Sequence, residues 1–493
     1  MPRTKIVCTL GPASQSEEVI REMIRAGMDV ARINFSHGDR ETHVRDIALV
    51  RRLAEEEGKV VAVMQDLQGP KVRVGEFEKG AAILKAGQTF TLTTRQVLGN
   101  EKEVTALYPR LPQEVQPGDR ILLDDGLLDL EVVETTDTDV RCRVVTGGTL
   151  RSRKGITLPH STLSLPSLTE KDKEDLAVGV ENEVDYVALS FVRRAADILE
   201  LKQLLAEHGT DIPIIAKIEK HEGVTNFDEI LDVSDGIMVA RGDLGVETPA
   251  EMVPIYQKMI IKKCNQVGKP VITATQMLDS MIHHPRPTRA EASDVANAIL
   301  DGTDALMLSG ETAVGKYPVE AVRTMAKIAL TTERNLAWGE WAHGPISEDP
   351  FTPTEAISQA TCEIAAELSA KAIIASTMSG YTARMVARRR PATPIIAVTP
   401  NPRTYRRLAL VWGIYPLMVR EFTNTDEMMA TAVQAALERG LVEQGDIVVI
   451  TAGVPMGGPG KTNMIKIHVV GESWVESPNP SPRAAGRGKS KVR

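Results

Sequence analysis

Ile214-Ile215-Ala216-Lys217-Ile218-Glu219 and, a little further on, Val239-Ala240-Arg241-Gly242-Asp243-Leu244-Gly245 are the stretches on which the fold turns. The first reads as a buried strand. Side chains alternate between the faces of a strand, so Lys217 and Glu219 point the same way. A charged pair closing an apolar run is costly unless it is paired or bound to metal. The second stretch ends its apolar run in Arg-Gly-Asp, where a strand gives way to a helix. Charged groups at the ends of successive strands mark a barrel of alternating strands and helices, whose chemistry sits at that end.

Working outward, short apolar runs alternate with longer amphipathic stretches up to about residue 335. The runs are 5–10, 30–35, 60–67, 186–191, 213–219, 236–240, 270–274 and 305–308. They predict an α/β chain built on a (β/α)8 TIM barrel. Several runs end in polar residues on one side: Asn34 and Ser36, Asp66, Lys217 and Glu219, Asp243, Thr275, Ser309 and Glu311. Between the third and fourth runs the pattern changes to short strands and turns, with Asp124-Asp125-Gly126 and Gly147-Gly148 as turn signals. This predicts an inserted all-β lid over the barrel mouth. The expected division is a barrel at 1–69 and 168–338, a lid at 70–167, an α/β domain with a mostly parallel sheet at 339–471, and a disordered, basic tail at 472–493.

A chain of 493 residues exceeds one core, and 42% hydrophobic with 25% charged residues is ordinary for a soluble protein. Its 58 basic and 66 acidic side chains, net −8, give no basic face for nucleic acid. Aromatics at 4% leave few platforms for stacking bases. Cys8, Cys142, Cys264 and Cys362 show no paired spacing, which fits a reducing cytoplasm rather than a disulfide or zinc framework. No signal-peptide core and no membrane-length apolar run is present. The expectation is a soluble cytoplasmic protein that binds neither nucleic acid nor membrane.

Glu219 and Asp243 offer the hard oxygens that magnesium takes, one or two carboxylates at a time. A strand-end carboxylate paired with a neighbouring arginine such as Arg241 explains them as well. Lys217 shifts the balance, since a lysine beside a metal carboxylate can stabilise charge on a transferring phosphoryl group. Lys220 and His221 read as solvated loop residues. Gly242 permits close approach to the backbone, and free amides of a helix starting here suit a carboxylate. Thr275 has a hydroxyl able to relay a proton. Arg32, Asn34 and Ser36 share one face, and the fork of an arginine suits a phosphate.

This set, in this order, resembles the pyruvate kinase family over nearly the whole chain. The resemblance rests on Asn34-Phe35-Ser36-His37-Gly38, Asp66-Leu67-Gln68-Gly69-Pro70-Lys71, Lys217-Ile218-Glu219, Arg241-Gly242-Asp243-Leu244-Gly245, Ala274-Thr275-Gln276-Met277-Leu278 and Leu308-Ser309-Gly310-Glu311-Thr312. It implies transfer of the phosphoryl group of phosphoenolpyruvate to ADP, giving pyruvate and ATP, the last step of glycolysis. By the same resemblance Arg32 holds the substrate phosphate and Lys217 the phosphoryl group in flight. Glu219 and Asp243 ligate Mg2+ or Mn2+, while Gly242, Asp243 and Thr275 surround the substrate carboxylate. Arg73 and Lys154 contact nucleotide phosphates, and Thr9, Pro12 and His37 line the nucleotide side. A homotetramer is implied as well.

Family members that need potassium place it among the positions of Asn34, Ser36, Asp66 and Leu67, with a threonine at the fourth and a glutamate at the position of Lys71. Here Leu67 has no side-chain oxygen and Lys71 carries its own cation, so K+ is expected not to be required, with the Lys71 ammonium in its place. The loop Ser376 to Thr382, with Thr377, Ser379, Gly380 and Thr382, resembles the family's site for the phosphate of an allosteric activator, with 453–460 facing it. An ordinary capped helix start is the competing reading of that loop. Gly460-Lys461-Thr462 is not a P-loop, because Pro455 stands where glycine is needed and a strand follows. Two rivals remain: a lyase on the same barrel, which would need no ADP, and a non-catalytic sugar-phosphate sensor, which would be expected to lack one of Lys217, Glu219, Asp243 or Thr275.

Overall fold

The computed structural model describes residues 2–159, 164–336, 352–454 and 462–474. The chain forms two compact units, one of Met1–Ser347 with Arg406–Ile414 and one of Glu348–Tyr405 with Tyr415–Arg493. Within the first unit eight parallel strands close a barrel. In chain order these are β1 Lys5–Leu10, β2 Val30–Asn34, β3 Ala62–Asp66, β4 Tyr186–Leu189, β5 Ile214–Ile218, β6 Gly236–Ala240, β7 Val271–Ala274 and β8 Ala305–Leu308. Each lies within a predicted run; Asn34, Asp66 and Lys217 are still in their strands, whereas Ser36, Glu219, Asp243, Thr275, Ser309 and Glu311 lie just beyond a strand's end.

Alternation sorts the strand residues into two layers. Ile6, Cys8, Ala31, Ile33, Ile214 and Ala216 face outward into the packing between strands and helices. Val7, Val30, Met64, Ala188, Ile215 and Met238 fill the barrel interior. Residues Arg406–Ile414, inside the stretch expected to be part of the last domain, join that interior from below: Ala409 and Leu410 pack into it. Tyr186 there donates to the Arg407 carbonyl at 2.6 Å, and Lys5 to the Ile414 carbonyl at 2.8 Å.

The surrounding helices start at side-chain caps. Ser16 caps Glu17–Ala26, and the capping boxes Thr169/Asp172 and Thr288/Glu291 open Glu170–Glu181 and Arg289–Leu300. The insertion has its own core, including Phe90, Leu92, Ile121, Leu130 and Cys142. It carries a six-stranded and a two-stranded sheet, with one helical turn at Leu111–Glu114. The second unit carries a five-stranded sheet whose strand Ala372–Ser376 pairs in parallel with Ile395–Thr399 and Ile447–Ala452. Its edge strand Met464–Val469 runs antiparallel. No described helix is long and apolar enough to cross a membrane. Loop 453–460 beyond Val454, the Pro455 and Lys461 of the discarded P-loop, and the tail from 475 lie outside the described residues.

Candidate active site

One step of two residues beyond the apolar interior, the inward row turns polar. Val7 is followed by Thr9, Val30 by Arg32, Met64 by Asp66, Ala188 by Ser190 and Ile215 by Lys217. All five polar residues are buried, Asp66 at 1% exposure and Lys217 at 8%. Arg32 donates from Nε to Asp66 Oδ2 at 2.6 Å and from Nη1 to Thr9 Oγ1 at 2.9 Å. Lys217 Nζ reaches Asp66 Oδ1 at 3.1 Å, Ser190 Oγ at 2.7 Å and Glu219 Oε1 at 3.0 Å. Glu219 is fixed from its other oxygen by the Phe191 amide at 2.8 Å. Two cations thus share two carboxylates in a dry setting, where such charges require partners.

Burial alone would raise the Asp66 carboxyl, but Arg32 and Lys217 outweigh it and hold it below the usual carboxylate range. Burial would likewise lower the Lys217 ammonium. Asp66 and Glu219 reverse this and push it above the ordinary lysine value, so it is fully charged. Glu219 moves the other way: burial raises its carboxyl, Lys217 opposes that, and Asp243 adds to it.

Asp243 stands in the short helix Arg241–Glu247, directly after β6. The Gly242 amide at the start of that helix donates to Thr275 Oγ1 at 2.7 Å, so it is already bound rather than free. Thr275 takes φ +68° and Gln276 +53°, in the left-handed region. A β-branched residue there costs about 1–3 kcal/mol and persists only where its surroundings enforce it. Arg241 pairs with neither Glu219 nor Asp243. Its fork is bidentate on Asp294, at 2.9 and 2.8 Å, which removes the simple arginine pairing as the account of those carboxylates.

The lid brings further charges over the mouth. Lys154 pairs with Asp124 at 2.8 Å, and Arg73 donates to the Arg153 carbonyl at 3.1 Å. Lys71 Nζ lies 3.8 Å from Asp125 and 4.0 Å from Asp243. Lys71 thus approaches the mouth from the Asp125 and Asp243 side, while Asp66 is paired with Arg32 and Lys217. Leu67 is buried in the outer core, and its carbonyl accepts from Ser190 at 2.7 Å. Asn34 Oδ1 caps the Ser36 amide at 3.1 Å. His37 and Pro12 are exposed, while Thr9 lies buried beneath Arg32. Lys220 is no solvated loop residue. It is bonded to buried Glu247 and, with Lys71, Glu219, Asp243 and Asp125, lines the cleft between lid and barrel.

Residues 1–322 match the family model "Pyruvate kinase, barrel domain", and 355–468 match "Pyruvate kinase, alpha/beta domain". The chain belongs to the pyruvate kinase family. A pyruvate kinase of Geobacillus stearothermophilus is 53% identical over 473 residues, 95% of this chain and 81% of its own length. One of Clostridium acetobutylicum is 49% identical over 472 residues, 95% of this chain and 100% of its own. A crystal structure of a pyruvate kinase from Cryptosporidium parvum superposes with a TM-score of 0.90 at 40% identity, covering 95% of this chain and 96% of that one. Membership of the pyruvate kinase family makes the chain a phosphotransferase.

For a pyruvate kinase family member the carboxylate pair invites a divalent ion, and the residues fit one. Asp243 raises Glu219, two like charges facing one cleft, and both donors are hard oxygens. Among the described residues no cluster of three or more His, Cys, Asp or Glu is placed to hold a metal. In the second unit, Thr377 and Thr382 are buried, Ser379 is exposed, and Gly380 takes φ +80° at the start of Tyr381–Ala387. The Thr382 hydroxyl is bonded to Thr462 at 2.9 Å. Ser190 and Asp294 carry no functional signal in the sequence. Serine at the end of an uncharged run reads as a cap, and a mid-helix aspartate reads as solvated.

Proposed function

We propose that the chain transfers the phosphoryl group of phosphoenolpyruvate to ADP, with protonation of the enolpyruvate left behind. The observation that carries this is the buried row Thr9, Arg32, Asp66, Ser190 and Lys217, facing the Glu219–Asp243 pair. In this reading Arg32 and Lys217, both ion-paired to Asp66, bind the phosphate, and Lys217 stabilises the group in transfer. Glu219 and Asp243 would hold Mg2+ or Mn2+, which when bound supplies Lewis-acid charge to substrate oxygens. Gly242, Asp243 and Thr275 surround the substrate carboxylate, with the Thr275 hydroxyl nearest the carbon that gains a proton. Arg73 and Lys154, with Thr9, Pro12 and His37, take the nucleotide side. The lid at 70–167 excludes water over a barrel at 1–69 and 168–338. The active form is a cytoplasmic homotetramer.

Potassium independence belongs to the same proposal. Leu67 offers no side-chain oxygen, and Lys71 brings a fixed cation to the mouth from the Asp243 side. A single assay reads both claims: pyruvate formation from phosphoenolpyruvate with magnesium, with and without ADP, in potassium, sodium or tetramethylammonium. The expected result is an absolute need for ADP and similar turnover in all three salts. Product without ADP contradicts the transfer and favours a lyase, whereas a large loss without potassium contradicts the role of Lys71 alone.

Activation by a phosphorylated metabolite at Thr377, Ser379, Gly380 and Thr382, in a regulatory domain spanning 339–471, completes the reading. A ligand that binds the folded state raises its melting temperature. A thermal-shift screen of sugar phosphates and nucleoside monophosphates in which none does so would remove it.

A further inference from the structure

The structure assigns Arg241 a task of its own: it is a positioning residue that locks Thr275 in place from behind. Three observations combine. Thr275 and Gln276 occupy left-handed backbone positions in succession, at φ +68° and +53°, which side chains of their kind rarely adopt. The carbonyls of both turn toward the Arg241 guanidinium, whose Nη2 donates to Thr275 O at 2.9 Å and Gln276 O at 3.4 Å. The same guanidinium is gripped by both oxygens of Asp294, on the helix Arg289–Leu300, and by Gln257 Oε1 at 3.3 Å, on the helix Val253–Val267.

A planar fork seated on a carboxylate has one orientation, so it fixes the carbonyls it meets. Fixing those carbonyls fixes the reversed turn, and the turn carries Thr275 Oγ1 to the Gly242 amide at 2.7 Å. Arg241 therefore acts through Thr275. Lysine cannot replace it, because one ammonium has no rigid fork to satisfy Asp294 and two carbonyls together.

The inference rests on the proposed placing of Thr275 beside the carbon that is protonated, and its test separates the two. Arg241→Lys, Thr275→Ala and the double variant are compared for turnover and for exchange of pyruvate methyl protons with deuterated solvent, which reads the protonation step alone. Misplacing a reacting group by about an ångström costs on the order of a hundredfold. Arg241→Lys is therefore expected to lower kcat and proton exchange together by about that factor, with the KM for phosphoenolpyruvate little changed. Added to Thr275→Ala it should cost nothing more, since residues that act as a unit are not additive.

Wild-type turnover in Arg241→Lys, or a loss that adds in full to that of Thr275→Ala, overturns the clamp. Wild-type exchange in Thr275→Ala overturns instead the reading of Thr275. If Arg241→Lys does not fold, Asp294→Asn, which keeps the shape and removes the charge, is held to the same outcomes.

Discussion

Asp66 is the residue on which the site's two cations converge. Its Oδ2 accepts from Arg32 and its Oδ1 from Lys217, with 1% of its surface exposed. Removing one partner from a buried ion pair costs about 3–5 kcal/mol, because the other charge is left stranded. Asp66→Asn is expected to lose stability of that order, read from the urea midpoint, and to lose most of its turnover. A wild-type midpoint would show that the two cations do not depend on Asp66. The reason Arg32, Asp66, Lys217 and Glu219 are legible in the sequence is physical: period two carries each onto the inner face at a strand's end. Asp294 is not legible, since it meets Arg241 across 53 residues and nothing near it in the chain signals the contact.

At the scale of elements, the loop 34–38 after β2 is held from beneath by the helix Arg40–Glu56. His43 of that helix packs against Phe35 at a tilt of 31°, centroids 4.1 Å apart, and a Cβ at Gly38 would meet its ring at 3.0 Å. Burial pushes the imidazole below its ordinary 6.5, against Asp175 and Asp46, which raise it, while Lys171 lowers it and Asp39 raises it. With the folded value depressed, the unfolded chain takes up a proton that the folded chain refuses. This contribution to stability is present above pH 6.5 and is lost as pH falls below it toward the depressed value. His43→Gln should flatten that part of the profile, measured as urea midpoints above and below pH 6.5. An equal fall in both proteins would exclude His43 as the cause. The barrel strands are readable from local hydrophobic runs. The lid strands Glu103–Thr105, Gly148–Arg151 and Ile156–Thr157 are not, being short and defined by distant partners, as when Gly148–Arg151 pairs with Ala81–Leu84.

For the whole molecule, sequence periodicity separates a barrel, an insertion and a later α/β unit. It gives no sign that Arg406–Ile414 leaves its neighbours to close the barrel interior, because an apolar stretch carries no address. One ammonium, that of Lys217, buried at the barrel mouth and ion-paired to Asp66 and Glu219, is proposed to face the group being transferred. Lys217→Met keeps the length of that side chain and removes its charge, while both proposed metal carboxylates remain. The decisive measurement is ADP-dependent pyruvate formation by this variant, alongside a check that it still binds Mn2+. Turnover should fall by about a hundred- to a thousandfold with metal binding retained. Wild-type-like turnover would contradict the central claim.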